Sequence, residues 1–137
     1  MIEVLGEAEC LRLIAPGGIG RIAYSGRFGQ AILPVNYKLH DGAIVFRTAL
    51  RSALDEDLQT GIGAAEYRVA FEIDELDVLS RQGWSVLIQG AAHRMESESE
   101  RACALGAGVE NWAPGERDLF VRITPSRITG RRIRPAT

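Results

Sequence analysis

Two apolar runs joined by Asp41-Gly42 constrain this chain more than any other stretch. Residues 31–52 read AILPVNYKLHDGAIVFRTALRS. Asp and Gly tolerate the positive φ angles of a tight two-residue turn, so the pattern predicts a β-hairpin. With Asp41 and Gly42 as the loop, His40 faces Ala43, Leu39 faces Ile44, Tyr37 faces Phe46 and Asn36 faces Arg47. Side chains alternate along a strand, which sorts the hairpin into two surfaces. Leu33, Val35, Tyr37, Leu39, Ile44 and Phe46 form the expected core face. Pro34, Asn36, Lys38, Val45 and Arg47 form the other, and an Asn opposite an Arg beside a Pro suits a binding site. The run then enters a helix expected to open at Ser52, where free backbone N–H groups attract anions. Arg47, Thr48, Arg51 and Ser52 together are equally readable as a phosphate grip or as a charged loop with a Ser cap.

The rest of the chain supplies strands of the same kind. Tyr67, Val69, Phe71 and Ile73 alternate with Arg68, Ala70, Glu72 and Asp74, the pattern of a strand buried on one side. GRIAYS (20–25) and WSVLIQGAAHRM (84–95) read as further strands, with Gly90 marking a bulge or a close approach. A strand over residues 118–124 is expected to stop at Pro125, before a last strand through Ile128. Helices are expected over residues 7–15, from Ser52 to Gly61, and from the Ser97/Glu100 capping pair to Leu105. Strand and helix do not alternate regularly, so a doubly wound parallel sheet is disfavoured. One mainly antiparallel barrel over residues 1–137, with short helices in its connections, fits instead.

Composition narrows the function classes. The net charge of −2 argues against nucleic acid as a partner. The basic ending RITPSRITGRRIRPAT (122–137) reads as a solvated terminal strand. Cys10 and Cys103 stand far apart without a CxxC pair, which fits a reducing cytoplasm and gives no zinc site. No run approaches the ~20 apolar residues of a membrane span, and residues 1–9 lack a secretion-signal pattern. His40 at its turn and His93 late in a strand read as surface residues. A Trp opening a strand, as Trp84 does before Ser85, fills a core more often than it stacks on a ligand. Nucleotide-loop, nucleophile-elbow and metal motifs are missing.

In order, GRIAY (20–24), ILPVNY (32–37), IVFRT (44–48), VAFEID (69–74), GWSVLIQGAA (83–92) and ITGRRI (128–133) resemble the flavin-binding relatives of pyridoxamine phosphate oxidase, in their compact branch. The resemblance covers nearly the whole chain. It implies an antiparallel split β-barrel homodimer with FMN at the subunit interface, acting as an oxidoreductase on a small molecule. Related branches use a deazaflavin. It also implies site positions: Pro34, Val35, Asn36 and Tyr37 bordering the flavin ring, and Arg47 and Thr48 at the ring edge and ribityl-phosphate. Arg51 and Ser52 would stand in the phosphate loop, and Trp84 and Ser85 on the neighbouring strand. No catalytic acid or base is implied.

Two departures accompany it. Ala53 stands where relatives carry a phosphate-binding Lys. A lost charge-assisted contact costs ~1.5–3 kcal/mol, roughly ten- to a hundredfold in affinity, unless Arg51 replaces it from two residues upstream. The chain also lacks the Trp-and-Arg ending of the vitamin-oxidising enzymes after ITGRRI. A flavin carrier or sensor without turnover is therefore the alternative to an enzyme.

Overall fold

The computed structural model describes residues 1–49, 67–108 and 118–135. The expected helix at Ser52, with Arg51, Ser52 and Ala53, falls outside the described residues. Among the described residues, seven strands and two helices follow one another as β1 (Ile2–Leu5), α1 (Glu7–Ile14), β2 (Gly18–Gly26), β3 (Gly29–His40), β4 (Ala43–Ala49), β5 (Tyr67–Asp77), β6 (Gln82–Arg94), α2 (Glu98–Gly106) and β7 (Asp118–Ile133). The sheet order is β1-β7-β4-β3-β2-β5-β6, and β6 pairs again with β7, which closes six of the strands into an antiparallel barrel. This is the mainly β split barrel expected from sequence.

The hairpin forms as its residues dictate. Asp41 and Gly42 both have positive φ, 50° and 76°, matching the twist of a type I′ connection. The ladder pairs His40 with Ala43, Leu39 with Ile44 and Tyr37 with Phe46. It ends there: Asn36 pairs with Ile19 of β2, and Arg47 with Phe120 of β7. The first half of β3 thus has a ladder on its β2 edge only. Leu33, expected in the core, faces Ile22 yet stays 37% exposed for that reason.

Phe46, Phe71, Ile22, Ile44, Val86, Ile88 and Ile123 fill the barrel with no measurable exposure. Each such side chain contributes about 1.5–3 kcal/mol relative to its exposed state. Tyr37 meets Phe71 edge-on with ring centres 5.5 Å apart, and Phe46 stacks on Phe71 at 6.1 Å. Helix α1 caps this core with Cys10 and Ile14, and its last carbonyl, of Ile14, accepts a 2.9 Å hydrogen bond from the Tyr37 hydroxyl.

Two further expectations need correction. Val45, assigned to the non-core face of the hairpin, is buried with Met95, Ala104 and Phe120 in a second cluster that includes α2. Helix α2, with the capping box expected from Ser97 and Glu100, covers that part of the outer surface. Pro125 does not end a strand, because β7 runs through it. It sits opposite Gly90 at a bulge, where the register shifts and a proline's missing N–H costs no ladder bond. A Cβ at Gly90 would lie 2.1 Å from the Thr124 carbonyl oxygen, so only glycine admits this approach. Strand β1, which the sequence pattern does not signal, extends the sheet through β7.

Candidate ligand-binding site

The outward side of β3, β2, β5 and β6 gathers polar groups the sequence keeps far apart. Register places Pro34 beside Arg21, Arg21 beside Glu72, and Asp74 beside Ser85. Asn36 has the same parity as Pro34 on β3, so all six face outward. At ~4.8 Å per strand, the band from Asn36 to Ser85 is roughly 14 Å wide. The Arg21 guanidinium lies 3.4 Å from Glu72 Oε1 and 3.3 Å from Asp74 Oδ2. Partial burial and the adjacent Asp74 carboxyl push Glu72 up to about 7, against the opposing pull of Arg21. Glu72 is therefore partly protonated at neutral pH. A hollow of about 620 Å³ continues the same face, lined by Ala23, Gln30, Ile32, Arg68, Ala70 and Gln89.

The residues expected at a site distribute unevenly over this barrel. Pro34 is exposed; Asn36 and Ser85 are half-buried on the outward band. Val35 packs against the core, and the Tyr37 ring is buried with its hydroxyl bonded to Ile14. Only the Tyr37 backbone is left for an outward ligand. Arg47 is half-buried, its guanidinium carbon 5.2 Å from the centre of the Phe120 ring, a cation–π seat that fixes the fork. Thr48 follows it, opposite Leu119. Trp84 packs against the core between Glu75 and Arg132, beside a cavity of about 340 Å³ that Arg132 and Arg134 also line.

Arg47 and Thr48 on β4 are not brought to Trp84 and Ser85 on β6. Strands β3, β2 and β5 lie between them one way round and β7 the other. By alternation Arg47 and Ser85 face outward, while Thr48, opposite the core residue Leu119, and Trp84 have the inward parity. Sequence reasoning missed Arg21, Glu72 and Asp74 as a cluster. Alternation put Glu72 and Asp74 on the wet side of their strand, but the pairing with Arg21 crosses 51 positions of sequence. No group of three or more metal-ligating side chains occurs among the described residues, and no described helix is long and apolar enough to cross a membrane.

The family model described as pyridoxamine 5'-phosphate oxidase matches residues 6–132. This chain belongs to that family. A family relative, the uncharacterized protein Rv0080 of Mycobacterium tuberculosis, is 33% identical over 129 residues, covering 94% of this chain and 84% of the relative. Among solved structures, the FAD binding protein from Mycobacterium smegmatis is 32% identical, with a TM-score of 0.78 over 96% of this chain and all (100%) of that one. A Corynebacterium glutamicum structure carrying the pyridoxamine 5'-phosphate oxidase name is 28% identical, with a TM-score of 0.79 over 99% of this chain and 96% of that one.

Proposed function

We propose that two copies of this chain, each a single domain, hold FMN between them and use it for oxidoreduction of a small molecule in the cytoplasm. The observation that carries this reading is the division of the expected site between two strands, β4 and β6, that do not adjoin. A second barrel laid on the outward band would bring its Trp84 and Ser85 toward the first copy's Arg47 and Thr48. Ile32, 67% exposed, and Ile19, 37% exposed, supply apolar surface on that band for such a contact. The flavin reading is supported by family membership and by the FAD-binding relative from Mycobacterium smegmatis.

The side chains present suit such a group. The Arg47 fork and the Thr48 hydroxyl are phosphate donors. Asn36 and Ser85 offer hydrogen bonds to a polar ring edge, and Pro34 offers it a flat apolar contact. A bound flavin would supply the hydride chemistry. The protein's part is to orient the ring, exclude water across the covered band, and hold a proton on the Glu72 carboxyl near neutrality.

The test is the absorbance spectrum of the purified protein, with chromatography of the released cofactor to separate FMN, FAD and a deazaflavin. We expect a yellow dimer whose Arg47→Ala variant retains flavin roughly tenfold less well. A colourless protein that takes up none of the three flavins would refute the reading. Ala53 in the lysine position favours a second reading, a flavin carrier. Steady-state reduction of quinone and nitro acceptors with NADPH separates the two, since a carrier binds without turnover.

A further inference from the structure

A third cavity, of about 500 Å³, lies between the β3–β4 turn and α2, away from the outward band. His40, Asp41, Glu100, Cys103, Arg122 and Thr124 line it. Cys103 is exposed, and its Sγ lies 3.2 Å from His40 Nε2. The same nitrogen lies 3.3 Å from Asp41 Oδ2. Arg122 stands in register between Val45 and His93. Its Nε is buried and has no hydrogen-bond partner among the described residues. Among the described residues, Glu100 on α2 also lines the cavity and lies 3.6 Å from His93 on β6, whose imidazole burial and Arg122 hold toward the neutral form.

We propose that Cys103, His40 and Arg122 form a thiol-modification site for small disulfides that carry a carboxylate. A thiolate is the attacking species in disulfide exchange, and a neighbouring imidazole generates it by accepting the proton. Here His40 Nε2 takes the Cys103 proton, and the resulting imidazolium has the Asp41 carboxylate as its hydrogen-bond acceptor. Cys103 Sγ attacks one sulfur of the reagent. The new Cys103 S–S bond forms as the reagent's own S–S bond breaks, and the departing thiolate recovers the proton from His40. Arg122 seats the reagent's carboxylate and satisfies its own buried donor. Cys10 has no part in this chemistry, because it is sealed in the barrel core and burial pushes its thiol up.

The experiment follows adduct formation by intact-protein and peptide mass spectrometry with two probes, oxidised glutathione and the uncharged 2-hydroxyethyl disulfide. The full chain should acquire one glutathione adduct, at Cys103, about tenfold faster than a free cysteine peptide does. It should also prefer oxidised glutathione over the neutral probe, relative to that peptide. His40→Asn should slow both probes about tenfold, and Arg122→Gln should slow oxidised glutathione alone. A wild-type rate and preference equal to the peptide's would overturn the site, and so would an Arg122→Gln variant slowed equally toward both probes. The wild-type comparison decides the matter even where a variant does not fold.

Discussion

Glu72 should give this protein a stability that declines between weakly acidic and neutral pH. Its carboxyl rises from an ordinary 4.5 to about 7 in the folded state, because it is partly withdrawn from water and bonded to Asp74. A group raised in the folded state binds its proton more tightly there than in the unfolded chain. Its contribution is therefore complete below 4.5 and is lost as the pH climbs through 7. Felt in full, that rise corresponds to roughly 3 kcal/mol. The side chain is 35% exposed, and solvent screening reduces the effect to about 1 kcal/mol. Glu72→Gln removes the ionisation while keeping the size. Urea unfolding of both proteins from pH 4.5 to 8, at one protein concentration because any self-association would shift the midpoint, should give diverging curves. The variant should gain about 1 kcal/mol on the wild type across that window. Parallel curves, or a wild type that gains on the variant as pH rises, would refute the assignment of the raised carboxyl to Glu72.

Two further substitutions test the packing. Tyr37→Phe removes the donor to the Ile14 carbonyl and should lower unfolding stability by about 1–2 kcal/mol in urea. Its flavin content should not change, since the hydroxyl faces the core; a colourless but fully stable Tyr37→Phe protein would show that the hydroxyl serves a ligand. Gly90→Ala should cost about 1–3 kcal/mol, because its Cβ would meet the Thr124 carbonyl. An unchanged denaturation midpoint would mean that the bulge is looser than described.

What the sequence made legible was local. The Asp41-Gly42 turn, the Ser97/Glu100 capping box and the alternation from Tyr67 to Ile73 each depend on residues within a few positions of one another, and each stands as expected. What was illegible depends on partners far along the chain. Val45 is buried only because α2, about fifty residues later, packs over it. Pro125 stays within a strand only because Gly90 on β6 has no side chain. Alternation put the Tyr37 side chain on the core face, where it is buried, but not the partner of its hydroxyl, the last carbonyl of a helix more than twenty residues earlier. Of the expected site, the residue types were legible and their distribution was not, since the strand order decides which groups adjoin.

The position of α2 joins these observations. By burying Val45 and Phe120 it closes the outer surface of β4, so Arg47 lies at the edge of the covered region, held over Phe120. The outward band, from Pro34 across Arg21 and Glu72 to Ser85, has no helix over it among the described residues and carries exposed Ile19 and Ile32. An antiparallel barrel with one flank sealed by its own helix and the other left apolar and polar in stripes has one face suited to a second copy. The same helix that seals the first flank leaves Cys103 facing His40 at its margin. Cys103 lies outside the band from Pro34 to Ser85, and its modification should leave flavin retention intact.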